Sequence, residues 1–433
     1  MNDGRVRRRI WKILGILLAV GLVLLGSMAS WIRSIADRKE ARLKEQVHQL
    51  HAETLARVDA RPALYGETVP GNAWPGYSAA LDEARKMRTV ENLIRDVWGD
   101  SPKADRTQAE QVVALHGVLF DHLREGARRD SGALPLTWEE GWSLKTPNLY
   151  DAELLARFVT IAARTQAQRG NPAEAVLKIL DLLQFARDLA ANSTSKCAER
   201  SSILWSIATL ELQELAFSNE YPRSDLSGLD EALERLDHHL PASGPILLNE
   251  TLRVGFELLK SEARRDEEFL LGFREYWRYG CSRRIADTDG FDRLLTYARK
   301  DAPLQDGPLA ELRAIRAELI LPYHPLYDRA NSAGIYRWMG GMRGQRTTLR
   351  LLRVAVHYRA TGEILDLGDP YGDKLHHSII GSDLRVWSVG PDGIDHGGDI
   401  GDYDWSRRRP TPVPGQPFKP WRVSRDLVLQ VER

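Results

Sequence analysis

The stretch YDAELLARFVTIAARTQAQRGNPAEAVLKILDLLQFARDLA, Tyr150–Ala190, decides what kind of fold this chain has. In its first half Leu154, Leu155, Phe158, Val159 and Ile161 recur at the spacing of one helix face. Gly170-Asn171-Pro172 interrupts that run, and Pro172 suits the first turn of a following helix, where an N–H would have no intrahelical partner. Ala175, Val176, Ile179, Leu180, Leu183 and Phe185 then restart the period. Two helices joined by so short a turn run antiparallel and pack on each other. A further helical run, Ile203 to Phe217, follows.

Composition bounds the rest. The chain has 433 residues, 43% hydrophobic, with 60 Lys and Arg against 60 Asp and Glu. That length allows two or three domains with cores of their own and excludes a miniprotein built on disulfides. A net charge of zero supplies no broad positive field, so sequence-independent binding to nucleic acid is not expected. No H-E-x-x-H, G-x-S-x-G or P-loop spacing occurs, and no fixed repeat period, which leaves a non-repetitive helical domain over 78–325. Cys197 and Cys281 either pair in an oxidising compartment or stay as two buried thiols. His48 and His51 share a helical face without a third ligand, which favours solvation over metal binding; His116 and His122, six apart, do not share one. His238-His239 ahead of Pro241 reads as a helix C-terminus, where a cation suits the dipole.

Near the start, Ile13 to Ile32 carries no charge and is rich in Leu, Val and Ile. Some ~20 helical residues at about 1.5 Å each cover the ~30 Å hydrocarbon layer. Trp11 and Trp31 lie at its two ends, where indole rings favour the interface. Arg5, Arg7, Arg8, Arg9 and Lys12 precede the span and place the N-terminus in the cytoplasm, as at the start of an export signal. Arg33, Arg38, Lys39, Arg42 and Lys44 follow closely and weaken that charge bias. The leading expectation is an uncleaved anchor within 1–33. A cleaved signal peptide is the alternative, because Ser27-Met28-Ala29 sets small residues where a signal peptidase inspects them. Both readings export the remainder, giving a bacterial inner-membrane protein with its bulk in the periplasm. Within 34–77, Ser34 to about Val58 reads as a helix continuing out of the membrane. Pro62, Gly66, Pro70, Gly71, Pro75 and Gly76 then predict a loop over Arg61 to Tyr77.

The far end, 326–433, changes character. Gln345 to Arg359 has Leu349, Leu352, Ala355 and Val356 at helical spacing, and Thr361-Gly362 ends that helix. Ser378-Ile379-Ile380, a Gly381-Ser382 turn and Leu384 to Val389 read as short antiparallel strands. GPDGIDHGGDIGDYD, Gly390–Asp404, is too rich in glycine for a regular element and holds Asp392, Asp395, Asp399, Asp402 and Asp404. Carboxylates so close repel unless water or a cation screens them, and glycines let the chain fold back so that oxygens converge. Ca²⁺ takes roughly six to eight such oxygens, although no Glu closes this loop in the EF-hand manner. On residue chemistry alone, a Ca²⁺ site and a solvated acidic turn both stand.

Arg350 to Asp404 resembles the C-terminal region of the major pseudopilin of bacterial type II secretion systems. The likeness rests on the helix end Tyr358-Arg359-Ala360-Thr361-Gly362, on Asp369-Pro370-Tyr371-Gly372, and on Trp387-Ser388-Val389-Gly390-Pro391-Asp392-Gly393 with the Gly/Asp-rich loop after it. The resemblance implies that this loop binds calcium and fixes a small sheet. Asp392 matches the family's Asp-Gly position; Asp399, Asp402 and Asp404 match its later acidic ligands loosely. Asp426-Leu427-Val428-Leu429 resembles the closing strand, displaced by an insertion over Trp405 to Ser424. The chain departs from the family at its start: the prepilin-peptidase pattern of Gly before the apolar segment and Glu within it is absent.

The expected fold class is therefore α+β: a transmembrane helix, a mostly α-helical middle domain, and a helix on a small antiparallel sheet. The expected function is a non-enzymatic, membrane-anchored envelope protein with a structural Ca²⁺ in its pseudopilin-like end, partnered by the membrane and by envelope or secretion proteins. One alternative is a helical protein-binding scaffold. Another is a metal-dependent hydrolase on His376, His377, His396 and the aspartates, disfavoured because neighbouring His376 and His377 in a strand face opposite ways.

Overall fold

The computed structural model describes residues 3–57, 59–99, 105–268, 289, 291–296, 298–299, 335–381, 383–390, 393–398, 403–404, 409–410 and 427–431. It is mostly helical, with one long apolar N-terminal helix and a small antiparallel sheet.

Helix α1 (Asp3–Leu55) runs unbroken for 53 residues, about 80 Å at the α-helical rise. Among the described residues it is the one helix long and apolar enough to cross a membrane, with a mean hydropathy of 2.1 in a window that the protein leaves uncovered. Leu17, Leu18, Val23, Leu25 and Trp31 are exposed there. A few residues later the same helix changes its surroundings. Ala36 is 1% exposed, and Leu43, Val47 and Leu50 are buried. Leu43, Val47 and Leu50 pack with Ile246, Val254 and Phe256 of α10 (Ser243–Glu268) and with Phe291 and Leu294 of a further helical stretch. Val47 crosses α10 at Gly255, where a Cβ would come within 2.6 Å of its methyl carbon. Only glycine fits that crossing.

Beyond α1 the chain forms a strap, residues 59–65, and a short strand β1 (Val69–Asn72) that pairs in parallel with β2 (Arg129–Ser131). Helix α2 (Trp74–Lys86) follows directly. The loop expected over Arg61 to Tyr77 is thus shorter: Pro75 lies in the first turn of α2 and opens the helix instead of opposing it. Helices α3 (Glu91–Trp98), α4 (Arg106–Leu115) and α5 (Val118–Ala127) lead to the antiparallel pair α6 (Leu149–Gln168) and α7 (Pro172–Ala190). Asn148 caps α6 by accepting from the N–H groups of Tyr150 and Asp151, and Gly170 turns the chain at φ 81°. Every residue from Ile179 to Ala190 is buried. A helix covered on all sides is the central element of its layer, and α5, α6 and α8 (Ser195–Ala216) surround it. Helix α9 (Arg223–His238) ends where the paired histidines indicate.

Helix α11 (Ile335–Thr361) returns the chain to this bundle, and Gly362 ends it at φ 80°. It lies on α8 and α9. Arg350 meets Asp237 at 3.1 Å, Arg353 meets Glu234 at 2.5 Å, and His357 Nδ1 meets Asp230 at 2.7 Å. Charges three and four apart on each helix therefore face one another in an antiparallel ladder. The other side of α11 carries the sheet β3 (His376–Ile380), β4 (Asp383–Ser388) and β7 (Leu427–Val431), in the order β3-β4-β7 and antiparallel throughout. A two-stranded ribbon, β5 (Tyr403–Asp404) with β6 (Arg409–Pro410), lies between β4 and β7 in sequence. Leu349, Leu352 and Val356 of α11 and Leu384, Val386 and Leu429 of the sheet belong to the same core as α2 to α9. The expected boundary at 325/326 lies outside the described residues, and the elements on either side of it share one interior.

The strap is tied into that interior by charge. Arg61 and Asp188 pair with both side chains fully buried. Arg61 also donates to the carbonyl of Ala127 at 2.8 Å, and Tyr77 Oη donates to Asp188 Oδ2 at 2.7 Å. Removing one member of a buried pair strands the other charge, a loss of roughly 3 kcal/mol. Arg61→Met is therefore expected to lower unfolding stability by about that amount, and chemical denaturation of the detergent-solubilised chain followed by circular dichroism measures it.

Candidate functional site

Two of the C-terminal strings quoted above, Asp369–Gly372 and Trp387–Gly393, meet at one side chain. Asp369 is buried. Its Oδ1 accepts from the Tyr371 N–H at 2.9 Å and from Ser388 Oγ at 2.8 Å, and its Oδ2 accepts from the Val389 N–H at 3.0 Å. The Asp-Pro-Tyr-Gly turn is thus clamped to the end of β4. Ser388 in turn accepts from the Gly390 N–H at 3.1 Å. Arginines of α11 hold the turn from behind: Arg350 donates to the Gly368 carbonyl at 2.8 Å and Arg343 to that of Pro370.

Asp395 closes the loop that begins there. It accepts from Trp387 Nε1 at 2.9 Å and from the Gly397 N–H at 2.8 Å, and its other oxygen lies 3.3 Å from His376 Nδ1. The Trp387 and Gly397 hydrogen bonds hold the Asp395 carboxyl below the usual range. His376 also stacks on Trp387, with ring centroids 5.8 Å apart. Gly390, Gly393, Gly397 and Gly398 all have φ between 67° and 76°, which folds the segment back on itself. Of the expected ligands, Asp395 is placed in this latch and Asp404 in β5. Asp392, Asp399 and Asp402 lie outside the described residues. Among the described residues no group of three or more His, Cys, Asp or Glu is placed to hold a metal. His376 and His377 occupy successive β3 positions, opposite Trp387 and Val386, and face opposite ways as an alternating strand requires.

A second polar cluster lies along α7, at positions that the sequence periodicity leaves outside its apolar face. Tyr65 Oη donates to Asp181 Oδ1 at 2.6 Å, Arg124 Nε lies 3.4 Å from Asp181 Oδ2, and Arg124 continues to Glu174 at 2.7 Å. Arg187 grips Asp59 with two bonds of 2.6 Å. With Arg61 on Asp188, the strap is fastened to three charged residues on the central helix. Burial drives the Asp181 carboxyl up to about 6, against the lowering by Tyr65 and Arg124. Cys197 is a free thiol that burial pushes up to about 11, which removes its reactivity; Cys281 lies outside the described residues. An open cleft of about 310 Å³ lies between α4, α6 and α8, but Arg164 crosses it to Glu211 at 2.9 Å, so those charges are matched internally.

Comparison with protein-family models, with curated proteins and with solved structures finds no match to this chain.

Two outcomes are expected. Asp369→Ala strips the acceptor from three buried donors, the Tyr371 and Val389 N–H groups and the Ser388 hydroxyl, a loss of at least about 2 kcal/mol, and hydrogen exchange at 388–390 and 393–398 rises with it. For Asp181, the native carboxyl holds its proton more tightly than the unfolded one. That contribution to stability is complete below about pH 4 and lost as pH rises through about 6. Asp181→Asn is therefore expected to flatten the pH–stability curve between those values, as measured by denaturation across that range.

Proposed function

We propose that this protein is a non-enzymatic, single-pass cell-envelope protein, anchored in the inner membrane by α1, whose periplasmic helical domain carries a Ca²⁺-stabilised pseudopilin-like end. The observation that supports it most is the Asp369 clamp, because two of the strings that resemble the pseudopilin, Asp369–Gly372 and Trp387–Gly393, are joined by one carboxylate at the mouth of the Gly/Asp-rich loop. A long helix on a three-stranded antiparallel sheet is the setting such a loop needs. Asp392, Asp399, Asp402 and Asp404 would hold the ion beside the latch made by Asp395, with backbone carbonyls supplying further oxygens. Its role is structural: it neutralises carboxylates that otherwise repel across the loop. The helical domain, with its matched internal charges, serves as the body that presents this end to envelope or secretion partners.

Calcium binding tests this reading. In detergent or nanodiscs, the full-length chain is expected to take up about one Ca²⁺ in the micromolar to millimolar range by calorimetry. Chelation is then expected to lower Tm and quicken exchange at 393–398, and Asp392→Asn with Asp399→Asn to abolish both effects. No heat of binding and no change in Tm across that range would overturn it.

A further inference from the structure

The register of α10 on α1 fixes how far the folded domain stands from the end of the apolar segment. Arg57 donates to Asn249 Oδ1 at 2.8 Å, and the His51 ring meets Phe256 edge-on with centroids 5.2 Å apart. With Val47 against Gly255, the two helices run antiparallel, and α10 descends along α1 toward the apolar segment. Ala36, 1% exposed, is already inside the domain, four residues past Ile32. Four helical residues span about 6 Å, close to the depth of one headgroup layer. Lys39 pairs with Asp289, and Arg42 lies 3.4 Å from Asp292, so the helical stretch at 289–299 is fastened at this same level. Among the described residues, the burial of Ala36 sets the lower end of the domain about one helical turn beyond the apolar run.

Charge identifies what covers that end. Lys39, Arg42 and Lys44 are matched by Asp289, Asp292 and Glu40. Arg33 and Arg38 are exposed and meet no carboxylate among the described residues, Arg38 donating to the backbone carbonyl of Ser34. A guanidinium held at headgroup height pairs with phosphate oxygens through two N–H groups at once. We propose that the membrane-facing end of the helical domain is a docking surface for anionic phospholipid headgroups, contacted by Arg33 and Arg38. This rests on α1 being the retained anchor. It gives the helical domain a fixed height and a preference for acidic lipid.

The test uses the full-length protein in phosphatidylcholine vesicles containing a minority of phosphatidylglycerol, with either lipid spin-labelled. The fraction of each label slowed by the protein gives their relative affinity. The natural chain is expected to favour phosphatidylglycerol, and Arg33→Gln with Arg38→Gln to reduce that preference about threefold, less at high salt. The cluster Arg5 to Lys12 on the other side acts equally in both chains, so the drop is the readout. Arg33→Lys with Arg38→Lys is expected to keep most of it. Equal affinity for the two lipids in the natural chain, or an unchanged preference in the double Gln variant, overturns the docking surface and leaves the anchor standing. A chain recovered without residues 1–29 and free of vesicles overturns both.

Discussion

The constraint on which the rest depends is that one helix serves two solvents. Over residues 14–31 the described apolar side chains of α1 are not buried by the protein. From Ala36 onward its buried apolar positions narrow to Ala36, Leu43, Val47 and Leu50, and the last three pack against α10 and its neighbours. A helix apolar on every side suits lipid, and one apolar on a single stripe suits the surface of a folded domain. The transition takes place within about one turn, with no break in the backbone hydrogen bonds. The folded domain and the apolar segment are therefore mechanically continuous.

Continuity at α1 would mean little if the chain slackened after it. The strap prevents that by placing Asp59, Arg61 and Tyr65 on Arg187, Asp188 and Asp181 of the most deeply buried helix. Such pairs seldom exceed an apolar replacement in stability, and their best-supported use is to fix register. Here each strap residue has one partner on α7, and a slip by one residue would leave buried charges unmatched. The ladder between α9 and α11 does the same for the C-terminal end, orienting the sheet and the Asp369 clamp relative to the bundle.

What was legible in the sequence is what local periodicity encodes. The α6–α7 hairpin, the long helix after the apolar run, the end of α11 at Gly362 and the β3–β4 hairpin all follow from spacing and turn residues close together in the chain. The closing strand β7 was read only through the pseudopilin likeness; its partner β4 was not named there, and the pairing is a product of the tertiary fold. The loop over Arg61 to Tyr77 was overextended because Pro75 signals a helix start as readily as a break. The strap's partners could not be read, since Asp181, Arg187 and Asp188 look like the polar positions of an amphipathic helix until the other faces of α7 are also covered. Asp369 carried a signal that was passed over: an Asp before Pro that accepts from its own turn, at Tyr371, is an Asx-type turn with an oxygen to spare.

Backbone hydrogen exchange along α1, in the full-length protein reconstituted into lipid nanodiscs, tests the central claim most directly. The account predicts slow exchange across the helix without interruption: residues 14–32 shielded by lipid and residues 36–50 by packing, the latter as slow as Ile179 to Ala190 of α7. Fast exchange over 36–50 beside a protected 14–32 would contradict it, because the domain would then hang from a loose tether instead of growing out of the membrane helix.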